Sequence, residues 1–187
     1  MTANTPETQA DSQVGARGPL AEVKAKEIAT EMAKYPRPRS AVMALLFMVQ
    51  ELDGHITPPA VEEVAEICGM QPSEVSEVVT FYTMYFREPV GKNIMWVCGT
   101  LPCALCGADG LFDYLKEKLG VGMDEVTPDG LFTIKRMECL GACSEAPLML
   151  INEKMATKLN RAKVDEIIER VRNGEKWSDN GEANHGS

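Results

Sequence analysis

The chain has 187 residues, 44% hydrophobic and 25% charged, a balance that suits a soluble globular protein of one or two compact units. Its net charge of -9 argues against a nucleic-acid binder, because without a basic patch nothing neutralises phosphates, and it favours protein partners. The longest apolar stretch, 41–49, falls far short of the ~20 residues that cross a membrane, so no direct membrane span is expected. Residues 1–18 contain Glu7, Asp11, one arginine and no amphipathic period. They read as a disordered tail without the look of a signal or transit peptide, and a reducing compartment is expected.

Four helical patterns fill residues 19–88. Leu20, Val23, Ile28, Met32 and Tyr35 outline a first amphipathic helix, which ends where Pro36 and Pro38 interrupt the ladder. A second, 39–53, is apolar on nearly every side, so it is expected to be buried all round or packed against another subunit. Thr57 is an N-cap with Pro58 at the first position of a third helix, whose face is Val61, Val64, Ala65 and Cys68 and which stops at Gly69. Ser73 is expected to cap a fourth, with Val75, Val78, Val79 and Tyr82 at helical spacing. The result is an all-helical N-terminal domain.

The pattern changes at Pro89-Val90-Gly91, taken as a domain boundary. The continuous apolar run 94–97 ends in Cys98, as a buried strand delivering a residue at its tip would. A helix presenting Ala108, Leu111, Phe112, Leu115 and Leu119 follows and stops at Gly120, and Thr127-Pro128-Asp129-Gly130 is a turn. A strand over 131–137 leads through a loop, 138–147, into the apolar run 148–151. A last helix starts near Asn160 and turns Val164, Ile167, Ile168 and Val171 inward. Strand, helix, strand, strand, helix implies an α/β unit over 89–174 with helices packed on a sheet, followed by a second disordered tail, 175–187.

Chemistry concentrates in two cysteine pairs, Cys98 with Cys103 and Cys139 with Cys143, both in glycine-bearing loops. Four thiolates, two to each iron, suit a 2Fe-2S cluster and hence one-electron transfer. A disulfide framework conflicts with the expected reducing compartment. Structural zinc is a competing reading, although zinc modules mostly space their ligands two to four residues apart and often use histidine. A Rieske centre needs two histidine ligands, and neither His55 nor His185 lies beside a pair. Cys98, Cys103 and Cys106 also spell the C-x4-C-x2-C opening of plant-type ferredoxins, so a second ligand set stays open. The two-pair set is favoured because it leaves no idle thiolate in the second loop. Cys68 reads as core material on a helix face.

These residues, with Thr80-Phe81-Tyr82-Thr83-Met84-Tyr85, Pro89-Val90-Gly91, the segment 127–133, Ala146-Pro147 and Ile151-Asn152, resemble the thioredoxin-like 2Fe-2S subunit of respiratory NADH:quinone oxidoreductase, complex I. The resemblance runs from about residue 20 to 174. It implies a helical N-terminal domain that clasps a flavoprotein, followed by a thioredoxin-like 2Fe-2S ferredoxin domain. Its ligands correspond here to Cys98, Cys103, Cys139 and Cys143, and Cys106 becomes a non-ligand near the cluster. It further implies a partner subunit that binds NADH and FMN and performs hydride transfer. Other peripheral-arm subunits of complex I are implied as neighbours, with a cytoplasmic place on the face of the inner membrane.

The residues agree with that division of labour: no glycine-rich phosphate loop and no catalytic residues are found, so the isolated chain is expected to carry electrons without an NADH site. The equivalent small subunit of an NAD-reducing hydrogenase or an NAD-dependent formate dehydrogenase is the alternative host. A thiol oxidoreductase using Cys103-Ala104-Leu105-Cys106, or a structural zinc module, is a third reading.

Overall fold

The computed structural model describes residues 19–175 and Trp177. The expected tail 1–18, and all of the expected tail 175–187 except Glu175 and Trp177, lie outside the described residues. The chain divides between Pro89 and Val90 into two compact units.

The first unit holds α1 (Leu20–Val23), α2 (Ala25–Met32), a 3-10 turn (Pro38–Ala41), α3 (Val42–Asp53), α4 (Pro58–Cys68) and α5 (Pro72–Phe81). The first expected helix is thus two pieces. Lys24, at φ -119° and ψ 25°, breaks the run, while the Leu20 N–H is held by the Glu63 carboxylate and its side chain is fully buried. Thr57 caps α4 as expected, its hydroxyl accepting the Ala60 N–H at 3.4 Å. The expected Ser73 cap is replaced by Gln71. Pro72 takes the first helical position, where a missing N–H costs nothing, and the Glu74 carboxylate accepts the Gln71 N–H at 2.9 Å.

Burial of α3 on every side is not what the chain itself provides. Val42, Leu45, Leu46 and Val49 are buried, whereas Phe47 is 42% and Leu52 38% exposed. The segment after α5 is tied to α3 by polar contacts. Tyr85 donates its hydroxyl to the Met43 carbonyl at 3.0 Å, and the Gln50 side chain donates to the Met84 carbonyl at 2.9 Å while accepting the Phe86 N–H at 2.7 Å.

The second unit is built on a four-stranded mixed sheet, ordered β2-β1-β3-β4 from β1 (Asn93–Cys98), β2 (Phe132–Met137), β3 (Met149–Ile151) and β4 (Lys154–Ala156). β1 runs parallel to β2, with Asn93 opposite Phe132 and Cys98 opposite Met137, and antiparallel to β3. β4, which the sequence pattern does not reveal, pairs antiparallel with β3 across Asn152, whose φ of 55° makes the tight reversal. Two helices cover one face: α7 (Ala108–Leu119) and α8 (Arg161–Arg172) pack with Met95, Val97, Phe132, Ile134, Met149 and Ile151. Side chains alternate along a strand, so Trp96 falls on the other face, half-buried beneath the Lys135 ammonium. Asn160 caps α8 by accepting the Lys163 N–H at 2.9 Å. Beyond α8, Trp177 packs into the same core with the Arg170 guanidinium over its ring, although it falls within the expected tail.

Candidate metal centre

Parallel pairing is what creates the site. Because β1 and β2 point the same way, both chains leave the sheet at one edge, and the loops after Cys98 and Met137 start side by side. Gly99 N–H donates to the Met137 carbonyl at 2.8 Å, and the Cys98 thiol lies 3.2 Å from the Glu138 carbonyl, so the first loop is hydrogen-bonded to the second at its root. Cys98 ends β1. Cys103 sits in a one-turn helix, α6 (Leu101–Leu105), opened by Pro102, where the sequence suggests plain loop. Cys139 follows β2 by two residues, and Cys143 begins a 3-10 turn, Cys143–Glu145. That turn is stapled to the segment before α8: Lys158 N–H donates to the Glu145 carbonyl at 2.8 Å, and the two side chains pair at 2.9 Å.

Cys98 and Cys103 are buried in a small cluster with Ala108 and Leu148, against which Leu140 and Ala142 of the second loop pack; Cys139 and Cys143 are exposed. Their environments split the first pair. Burial by itself pushes the Cys98 thiol up, but the Thr100 hydroxyl and the N–H groups of Thr100 and Leu140 point at its sulfur and bring it down to about 7. Burial pushes Cys103 up, joined by its hydrogen bond to Cys98 and by the charges of Cys98 and Cys143, to about 11. Cys103 is therefore within electrical reach of both Cys98 and Cys143. As the side chains lie, no group of three or more His, Cys, Asp or Glu among the described residues is gathered about a single point.

Cys106 lies just past the end of α6 and is exposed, while Cys68 is in the helical core. His55 belongs to the first unit, where its Nδ1 lies 3.2 Å from the Asp53 carbonyl; His185 lies outside the described residues. Two residues near the loops go unmarked by the sequence pattern. Thr100 faces the Cys98 sulfur at 3.4 Å, and Arg136 of β2 reaches the Gly99 carbonyl at 3.4 Å, pairs with Asp109 in the first turn of α7 and covers the Phe112 ring. A hydroxyl residue two positions after a cysteine is the available signal for Thr100. Nothing in the one-dimensional pattern points to Arg136.

The sequence profile of the thioredoxin-like [2Fe-2S] ferredoxins matches residues 28–172. The chain belongs to this family. Among curated relatives of this thioredoxin-like ferredoxin, an NADH-quinone oxidoreductase subunit of Rhizobium meliloti is 40% identical over 151 residues, which is 81% of this chain and 90% of that protein. NADH-quinone oxidoreductase subunit 2 of Thermus thermophilus is 44% identical over 147 residues, 77% of this chain and 81% of that one. Among solved structures, an NAD+-reducing [NiFe]-hydrogenase in the air-oxidized state superposes with a TM-score of 0.61 at 21% identity, over 72% of this chain and 23% of that chain, a likeness of fold.

The cofactor of the family is a 2Fe-2S cluster, and the donors at this edge suit one. They are soft thiols on two loops rooted side by side, and N–H groups are aimed at a cysteine sulfur. Histidine takes no part in either loop.

Proposed function

We propose that this chain is an electron-transfer subunit of an NADH:quinone oxidoreductase, holding one 2Fe-2S cluster through Cys98, Cys103, Cys139 and Cys143 and exchanging single electrons with the FMN of a partner flavoprotein. The observation that carries the reading is the parallel β1–β2 register, which roots both cysteine loops at one sheet edge. Relatives of 40% and 44% identity named as subunits of that enzyme support the choice of host. The hydrogenase shares the fold at 21% identity and supplies no comparable argument for its own complex.

When bound, the cluster supplies a one-electron couple. The chain supplies the rest. Cys98 rides on the tip of a strand paired on both sides, so its position is rigid, and Cys103 is held in a hydrogen-bonded turn. Burial of this pair keeps water from one side of the site, whereas the exposed Cys139 and Cys143 leave the other side open to a donor or acceptor. A peripheral place on the cytoplasmic face of the inner membrane is part of this proposal; no helix among the described residues is long and apolar enough to cross a membrane. A thiol-enzyme reading of Cys103 and Cys106 fits poorly, because a nucleophilic thiol is accessible and acidic, and Cys103 is 1% exposed and pushed up to about 11.

The test is purification without oxygen, analysis for iron, acid-labile sulfide and zinc, and electron paramagnetic resonance after reduction, repeated on five serine variants. Two irons and two sulfides with a spin-half signal are expected. They should be lost from Cys98→Ser, Cys103→Ser, Cys139→Ser and Cys143→Ser and kept by Cys106→Ser. Loss in Cys106→Ser with retention in Cys139→Ser or Cys143→Ser would sink the ligand set; zinc in place of iron would sink the electron-carrier reading. Isolation of the native protein together with a flavoprotein and quinone-reducing subunits tests the host.

A further inference from the structure

Thr100 occupies the N-cap position of α6, with the extended backbone (φ -83°, ψ 164°) that a capping threonine adopts. A threonine there ordinarily turns its hydroxyl onto an N–H of the helix it opens. This one makes no such bond. Its Oγ1 lies instead 3.4 Å from the Cys98 sulfur, at an ordinary distance for a hydrogen bond to sulfur.

Which atom donates follows from an acceptor-only group beside that sulfur. The Glu138 carbonyl oxygen, 3.2 Å away, only accepts, so it takes the Cys98 S–H. The Thr100 hydroxyl is left to donate to the sulfur lone pairs. When the sulfur is bound to iron and its proton is gone, the Glu138 bond goes with it, while the Thr100 O–H keeps its role.

We propose that Thr100 is a positioning residue whose hydroxyl, donated to the Cys98 sulfur, raises the reduction potential of the cluster. The inference rests on the assignment of Cys98 as a ligand. A one-electron reduction makes or breaks no bond in this scheme: the electron comes from an added mediator, the negative charge on the cluster and its sulfurs rises by one unit, and the Thr100 proton stays on its oxygen. A fixed O–H dipole aimed at one of those sulfurs is worth more after reduction than before, so it favours the reduced state. Thr100 is half-buried, which keeps bulk water from substituting fully for its hydroxyl.

The experiment compares the full chain with Thr100→Val, which keeps the shape and removes the donor, and Thr100→Ser, which keeps the donor. Iron and sulfide are measured first. A wild-type chain without two of each would defeat the cluster reading itself, before any potential is recorded. With loading equal in all three proteins, each is titrated against mediators and followed by its visible spectrum and its paramagnetic signal. At the wild-type midpoint the reduced-to-oxidised ratio of Thr100→Val is expected to fall by up to about tenfold, equivalent to about 59 mV for one electron. Thr100→Ser is expected to stay within about twofold of the wild type, on the same tenfold-per-59 mV scale. A Thr100→Val ratio that also stays within that bound, or an equal fall in both variants, overturns the proposal. So does loss of the cluster from Thr100→Val with retention in Thr100→Ser, which would make the hydroxyl a requirement for assembly.

Discussion

Replacing Gly91 by alanine is the sharpest test of how the site is held. A Cβ there would stand 2.5 Å from the Phe132 carbonyl carbon and 2.7 Å from both its N and its O, far inside ordinary contact. The obstacle is backbone at the start of β2, not the end of a flexible side chain, so relief requires β1 and β2 to part where they first meet. Four hydrogen bonds cross that point, one of them from the Asn93 side-chain amide to the Leu131 carbonyl at 3.2 Å. Gly91 N–H donates to Thr133 Oγ1 at 2.8 Å, Lys92 N–H to the Gly130 carbonyl at 3.1 Å, and Asn93 N–H to the Leu131 carbonyl at 2.8 Å. Losing two or three of them at about 1 kcal/mol each gives a destabilisation of about 2–3 kcal/mol.

Gly110 is the internal control. It lies inside α7 with nothing within 4 Å of its would-be Cβ, so Gly110→Ala is expected to gain about 0.5–1 kcal/mol from helix propensity alone. Urea unfolding followed by tryptophan fluorescence reads the comparison cleanly. Both tryptophans, Trp96 and Trp177, belong to the second unit, so the signal follows that unit and not the helical one. A Gly91→Ala chain whose unfolding free energy stays within about 0.5 kcal/mol of the wild type would refute the reasoning, since no strand separation would then have taken place.

In the first unit, Leu46 is fully buried, and Leu46→Ala is expected to cost about 2–5 kcal/mol in helical signal melted by urea, while Leu46→Glu leaves a buried unpaired charge and abolishes the folded helical unit. Phe47→Ala, on the exposed side of α3, should cost clearly less; an equal loss would contradict the burial pattern. Tyr85 is held by burial, and secondarily by the charge on Tyr82, at a pKa pushed up to about 12. Because the folded value lies above the ordinary 10.0, its contribution to stability is complete below pH 10 and is lost as pH rises toward 12. Ultraviolet titration should show two tyrosines ionising late, Tyr85 and Tyr114, the second raised by its hydrogen bond to Asp165. The Tyr85 part of that late absorbance should vanish in Tyr85→Phe, which is also expected to lose about 1 kcal/mol with the bond to the Met43 carbonyl.

Helix faces were legible because their cause is local. The spacing of Val61, Val64, Ala65 and Cys68, closed by Thr57 and Gly69, needs only one turn of chain to be read, and α4 follows it from Pro58 to Cys68. The same holds for α7 and α8. Caps were less secure: Gln71 displaced Ser73 because a proline at the first helical position and a carboxylate three residues past the cap outweigh a better capping side chain. Short elements were lost for a different reason. α6 and β4 span five and three residues, too few to display a period, and β4 exists only because β3 offers it an edge.

From its residues alone the chain specified two soft-donor pairs, the strand and loop that carry each pair, and a helical segment ahead of them. Spacing and side-chain chemistry are properties of the unfolded chain as much as the folded one. Only the tertiary structure decided that the two loops start side by side, since that depends on β1 and β2 lying parallel across the intervening chain, 99–131. It also decided which thiols are buried, why Cys98 and Cys103 part in acidity, and where the Thr100 hydroxyl points. Each of those turns on distances of a few ångströms between atoms that sequence separation leaves unconstrained, and burial and hydrogen bonding have no value until such distances are set.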